Sequence, residues 1–355
     1  MQRLLPRSGA FAVAMVLFII ATASLACGNS PSEPEEPETE ETNLVEEDAL
    51  ILGTLVTLKV HASRDSEVLR GQVREVMDEM QKLGCRLSVY CPDSETRRVN
   101  ASPGEPVEVS DEFYELLEYG LEVAERSGGV FDPTVGPLVE LWGFYTEEYR
   151  VPGEEEIEDT LKLVDWRSVE LGEGTVTIEQ GMRLDLEALV KGFIADRAAE
   201  TLREMDVTGA LIISGSSTIA VVGTAQGGRP WKIGLEHPRR RGSIYASLEV
   251  HDGEHVSTSG DYQRYFIDDE GVRRSHILNA NTGKPVEKII AATVVSESSL
   301  RCDGISTAAM GKEPEEAIAF IESGDEFEGL VITRDEELLF TDEMDARVEL
   351  MEGGL

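Results

Sequence analysis

From Leu211 to Leu278 the chain is a succession of short apolar runs broken by glycine, serine, aspartate and asparagine, and this pattern limits the fold more than any other. Residues 211–214, 219–222, 231–235, 244–250 and 255–258 each have the length of a strand. Gly215-Ser216-Ser217 reads as a small-residue turn between two of them, and residues 257–262, Ser-Thr-Ser-Gly-Asp-Tyr, as a hydroxyl-rich one. Residues 265–267 are expected to pair with 276–278 around Asp268-Asp269-Glu270-Gly271. Adjacent strands joined by such short turns run antiparallel.

Helical spacing is confined to fewer stretches. Val68, Leu69, Val73, Val76, Met77, Met80 and Leu83 follow a strand over 50–62, while residues 86–100 read as an ordered loop. Ser110 caps a helix that Gly128-Gly129 ends, residues 157–164 and 317–321 are short helices, and a longer one runs from Ala188 through Met205. Hairpins over 169–178 and 330–341 complete the chain, and the fold class expected is α+β with mostly antiparallel sheet. No dinucleotide glycine fingerprint, Walker loop or zincin histidine pair is present.

Lys and Arg number 32 against 69 Asp and Glu, a formal charge of -37, which makes nucleic acid a poor partner. Such a field also repels a free anionic substrate, so any phosphate site favours a bridging divalent metal. Arg3 and Arg7 precede an apolar run over 10–23, the pattern of a secretory signal. Cys27 stands where a bacterial lipoprotein is cut and acylated, although Ser24-Leu25 depart from the usual order and a plain cut after Ala23 or Ala26 is the alternative. Nine acids and no base lie between Glu33 and Asp48. The division expected is a signal over 1–26, an acidic tether over 27–48 and one domain over 49–355. Cys85, Cys91 and Cys302 lack metal-type spacing; Cys85 and Cys91 are either paired or free thiols.

The stretch with the clearest chemistry is residues 302–310. If Gly304 opens a helix, Asp303 sits at its N-terminus and the Ser306 and Thr307 hydroxyls fall on the same side. One carboxylate with neutral oxygens suits a hard cation such as Mg2+. The competing reading is that Asp303 is simply a helix cap. Asp185 ahead of a helix that carries Lys191 forms a candidate phosphate site. Around Pro133 and Pro137 the chain makes a rigid corner at residues 130–138.

Taken in order, these stretches resemble the ApbE family of FAD:protein FMN transferases. The resemblance rests on Leu52-Gly53-Thr54; Leu87-Ser88-Val89-Tyr90 with Asp93-Ser94-Glu95; residues 131–138; Asp185-Leu186 through Lys191-Gly192; residues 258–262; His276-Ile277-Leu278 through Pro285; and Asp303 through Thr307. It implies a T-fold-like α+β domain and Mg2+-dependent transfer of FMN from FAD to a Thr or Ser hydroxyl of a partner protein, with AMP released. It places FAD against Leu52, Tyr90, Val130, Phe131, Asp132, Asp185, Lys191 and Ile277, with Thr258, Ser259 and Gly260 along the same pocket. It gives the metal to Asp303, Ser306, Thr307 and the Ala188 carbonyl. His276, next to Ile277, is the expected general base, with a surface strand histidine as the alternative. The family also suggests an outward-facing membrane redox subunit as acceptor, and a lipid anchor on the outer face of the cytoplasmic membrane. An FAD pyrophosphatase and a non-catalytic flavin-binding lipoprotein are the other readings. Glu187, Val190, Asn279 and Gly215-Ser216-Ser217 depart from the family's usual residues.

Overall fold

In a computed structural model, residues 42–351, 353 and 354 are described. The signal, Cys27 and the first part of the tether lie outside the described residues. The core is an eight-stranded sheet in the order Asn43–Ile51, Thr54–Ala62, Gly209–Ser214, Thr218–Gly223, His255–Gly260, Ile289–Ser296, Glu328–Thr333 and Leu338–Phe340. Every neighbouring pair is antiparallel, as the hairpin pattern predicts. Among the described residues no helix is long and apolar enough to cross a membrane.

Both faces of this sheet are covered, which explains why Ile289–Ser296 is almost continuously apolar. Ile212, Ala220, Ala292, Val294 and Val331 turn toward helices Ser66–Leu87, Asp111–Ser127, Glu187–Glu204, Ser299–Met310 and Pro314–Glu322. Leu211, Val221, Ala291, Val295 and Leu330 turn toward a smaller sheet of Trp231–Glu236, Ile244–Val250 and Val348–Leu350. A third cluster, Leu138, Trp142, Phe144, Ile157 and Leu278, packs helices Gly136–Leu141 and Glu154–Leu161 on the short hairpin that starts at Leu278. Trp142 Nε1 fixes that packing by donating to the Gly283 carbonyl at 2.8 Å.

Four expectations change. The acidic tether was expected through Asp48, yet the first strand begins at Asn43. Its odd-numbered residues Val45, Glu47, Ala49 and Ile51 turn inward, and Glu47 pairs with Arg70 and Arg74 on the first helix, so the run of acids conceals an alternating strand. The strand turns back through Leu52 (φ 51°) and Gly53 (φ 73°), both left-handed, as a tight two-residue hairpin requires. Residues 86–100 are not one loop: the first helix runs to Leu87 and a second, Glu95–Asn100, starts under the Ser94 hydroxyl, which accepts from Arg97 N–H at 3.2 Å. Residues 257–260 continue a strand rather than turn, because all of His255–Gly260 pairs with Ile289–Ser296. Finally, Tyr265–Ile267 pairs with Arg273–Ser275 rather than with 276–278. The Asp268 carboxylate accepts from the Glu270 and Val272 amides and tightens the turn, so pairing is complete before His276.

Candidate active site

A cavity of about 450 Å³ opens where the third cluster meets the end of the large sheet; Val139, Phe144 and Leu278 line it together with Leu52, Ser257, Ser259 and Asp303. Its apolar walls are Leu52, Val130, Phe131 and Ile277, with Tyr90 at the rim. Asp132, Asp185, Ala188, Lys191, Thr258, His276 and Thr307 also line it. Two expected residues do not. Gly260 ends its strand against the Tyr262 ring, and Ser306 is fully buried behind the wall.

Asp303 is not at a helix start. The helix Ser299–Met310 begins under Ser298, and Asp196 accepts from the Ser299 and Leu300 amides at 2.7 and 3.0 Å, which leaves Asp303 more than a turn inside. The cap reading therefore fails, since the cap is Ser298. The Asp303 side chain, 3% exposed, points at the neighbouring helix and the sheet. Its Oδ2 accepts the Gly192 N–H at 2.7 Å; its Oδ1 accepts the Thr218 hydroxyl at 2.9 Å and the Ser257 hydroxyl. Gly192 allows this approach: a Cβ there would collide with the Ser299 carbonyl. Burial pushes the carboxyl up to about 6, against the downward pull of the nearby Lys191 charge and the three donors.

One turn on, Ser306 Oγ and Thr307 Oγ1 lie 2.9 and 3.0 Å from Ser259 Oγ, and Ser306 also donates to the Asp303 carbonyl at 3.2 Å. Asp303, Thr307, Ser259 and Ala188 thus form one oxygen-rich wall. Lys191 Nζ stands beside it, donating to Ser217 Oγ at 2.7 Å, and the turn that carries Ser217 is opened by Gly215 at φ 67°.

His276 lines the same cavity. Its Nδ1 lies 2.9 Å from the Arg264 carbonyl, which can only accept, so the proton sits on Nδ1 and Nε2 keeps its lone pair. Burial lowers the imidazole to about 4, so the ring is neutral near pH 7. Sequence reasoning missed Arg264: its Nη1 donates to the Tyr90 hydroxyl at 2.6 Å and its Nη2 to the Phe144 carbonyl. An arginine in the polar turn ahead of Tyr265 gives no sign that it faces a cavity. Also missed were Ser257 and Thr218, whose hydroxyls reach Asp303 only because the sheet order makes their strands neighbours.

Asp132 and Asp185 line the cavity but spend their oxygens on the backbone and on neighbours. Asp132 accepts from the Thr134 amide and hydroxyl, both at 2.7 Å, and from Trp166 N–H at 3.0 Å, which fixes the proline corner. Asp185 accepts Tyr145 OH at 2.7 Å and the Glu187 amide at 2.9 Å. Burial raises both carboxyls above the usual range. Cys85 and Cys91, left open by the sequence, form a disulfide that brackets Tyr90.

The model of the ApbE family matches residues 52–331. The chain is 33% identical over 276 residues to an FAD:protein FMN transferase of Treponema pallidum, covering 73% of this chain and 76% of that protein. It is 29% identical over 312 residues to one of Klebsiella pneumoniae, covering 86% and 94%. Among solved structures, an ApbE protein of Thermotoga maritima superposes with a TM-score of 0.80 at 30% identity, over 86% of this chain and 99% of that one. The apo flavinyl transferase ApbE of Pseudomonas stutzeri superposes at 0.75 and 30% identity, over 86% and 97%. With a buried carboxylate, a lysine and a neutral histidine around one cavity, and with these likenesses along most of its length, this chain belongs to the ApbE family.

Proposed function

We propose that this enzyme transfers FMN from FAD to a Thr or Ser hydroxyl of a partner protein, with AMP as the leaving group. The observation that carries the reading is that Asp303, Thr307, Lys191 and His276 line one cavity, with Lys191 Nζ donating to Ser217 and the His276 Nδ1–H fixed on the Arg264 carbonyl. In the step proposed, the acceptor oxygen forms a bond to the flavin-side phosphorus while the bond from that phosphorus to the AMP oxygen breaks. His276 Nε2 takes the hydroxyl proton, and its Nδ1–H, fixed on the Arg264 carbonyl, holds the ring in the tautomer that can do so. Lys191 balances negative charge on the diphosphate as it develops on the leaving oxygen.

The donors fit Mg2+. Among the described residues no three His, Cys, Asp or Glu side chains gather into a metal centre, so the available set is one carboxylate with neutral oxygens. Asp303, Thr307 and the Ala188 carbonyl would hold the ion. The Gly192 N–H that Asp303 receives is the one the helical ladder aims at the Ala188 carbonyl, so the two oxygens adjoin a common donor. Ser306, with its hydroxyl turned to Ser259 and the Asp303 carbonyl, supports Thr307 rather than joining the set. When bound, the ion supplies charge neutralisation at the diphosphate.

We also place the enzyme outside the cytoplasm, anchored through a lipid on Cys27, acting on an outward-facing membrane redox subunit. The Cys85–Cys91 disulfide supports an oxidising compartment. Cys27→Ser should move the protein from the membrane to the soluble fraction, and retention at the membrane would overturn the anchor. The activity is tested by mixing the enzyme with FAD, Mg2+ and a candidate flavoprotein subunit, then measuring AMP and the intact mass of the acceptor. AMP with a mass gain equal to FMN establishes transfer. AMP with free FMN would mean hydrolysis, and neither product would leave a flavin-binding protein.

A further inference from the structure

Glu187 opens the helix that carries Lys191, but its side chain turns away from that helix. Its Oε1 accepts the Ser88 hydroxyl at 2.6 Å and the Val89 N–H at 2.8 Å. Ser88 Oγ in turn accepts the Tyr90 N–H at 3.2 Å, so a short chain of hydrogen bonds runs from the carboxylate to the backbone of Tyr90. Tyr90 needs such support. Its side chain is at the cavity rim, 44% of the residue is exposed, and its ring meets the edge of Tyr145, at 6.0 Å between centroids, and the Arg264 guanidinium, 5.8 Å from its centroid. Packing alone does not hold a residue so exposed, and leaving it free costs ordering entropy when a ligand arrives. Arg264 reaches the Tyr90 hydroxyl, and Glu187, which also lines the cavity, holds the turn.

We propose that Glu187 is a positioning residue for FAD: it fixes the turn at residues 88–90 to the first turn of the Lys191 helix, so the tyrosine that meets one end of the dinucleotide is in register with the lysine that meets its phosphates. This rests on the reading of the cavity as an FAD site. The pairing spans 98 residues of chain and joins the turn after the first helix to the start of Glu187–Glu204, which no continuous element connects. Without the carboxylate, the Ser88 hydroxyl and the Val89 amide would lose a shared acceptor in a half-buried place where water is a poor substitute.

The test uses the full-length protein with Glu187→Ala, Glu187→Gln, Tyr90→Ala and the Glu187→Ala/Tyr90→Ala pair, and reads FAD affinity by titration. Glu187→Ala should weaken FAD binding about tenfold, the effect of one to two net hydrogen bonds. Glu187→Gln keeps an acceptor oxygen for both donors and should stay within about threefold of the parent. In the Tyr90→Ala background, Glu187→Ala should add less than about twofold, because its effect passes through the tyrosine. Full additivity, or a Gln variant as weak as the Ala variant, would overturn the proposal. A second readout needs no flavin: amide hydrogen exchange at Val89 and Tyr90 should quicken at least tenfold in Glu187→Ala while the strand Ile289–Ser296 stays protected. If the parent fails to bind FAD but exchange at those amides responds, the reading of the cavity fails and the positioning of the turn stands. If exchange does not change, the positioning itself is wrong.

Discussion

The Arg264 carbonyl receives the Nδ1 proton of His276 at 2.9 Å, and the same carbonyl receives the His276 backbone N–H at 3.0 Å. One backbone oxygen thus sets both the position and the tautomer of the histidine, and it leaves Nε2 with no proton to lose. The Nε2 lone pair is therefore free at every pH at which the ring is neutral, as the proposed base role requires.

That relationship sets a pH dependence of stability. The imidazole is lowered to about 4 in the fold against an ordinary value near 6.5. Between these values the unfolded chain binds a proton that the native one does not, so the contribution of His276 is fully present above about pH 6.5 and is lost as pH falls toward 4. His276→Gln should remove this dependence. Urea midpoints taken every half unit from pH 7 to pH 4 should fall less steeply for the variant, and parallel curves would show that the ring is not buried neutral.

Asp303→Asn should fold and fail to work. An asparagine oxygen can accept the Gly192 N–H while its amide donates to Thr218 and Ser257, whose hydroxyls can reverse direction. The melting temperature should stay within a few degrees, whereas Mg2+-dependent AMP release should drop at least about a hundredfold, because the single carboxylate of the proposed metal set is gone. Equal loss of stability and activity would mean that the residue is only structural.

Lys191→Met retains the length of the side chain without its charge. The Ser217 hydroxyl loses its donor, and the wall beside Asp303 loses its cation. FAD affinity should fall about tenfold or more, and the loss should shrink at high ionic strength, where the parent's charge is screened as well. An unaltered titration would exclude Lys191 from the phosphate site.

The Cys85–Cys91 bridge closes a very short loop, so the chain-entropy estimate gives only about 2 kcal/mol of stability. Its location matters more than its size, since Ser88, Val89 and Tyr90 lie inside the loop. A Cys85→Ser/Cys91→Ser variant should unfold at a slightly lower urea concentration and bind FAD several-fold more weakly. Calorimetric titration of FAD with and without a reductant gives the same comparison on the unmodified chain.

Much of this was legible in the residues. Apolar runs and turn residues between 209 and 296 led directly to antiparallel strands, because a hairpin is a local object. The proline corner, Lys191, His276 and Asp303 were singled out by their type and setting, and all of them line one cavity. What escaped was non-local. The acids from Glu46 to Asp48 hid a strand whose partner decides which of them turns inward. Asp303 was expected at a helix start because Gly304 resembles a break, whereas Ser298 and Asp196 start the helix earlier. Arg264, Glu187, Ser257 and Thr218 carry no signal of their own, and each becomes part of the site only through a partner tens of residues away.

Gly192 has a bearing on descent as well as on packing. The atoms that a side chain there would strike belong to the backbone of Ser299 and Leu300, not to a side chain that a second mutation could shorten. No neighbouring change can make room, so compensation is closed at this position in a way that it is not at Lys191 or Ser217. A lineage that lost this glycine would separate the two helices and with them the amide that Asp303 holds. To return to activity it would have to regain the glycine or move one of the two helix backbones.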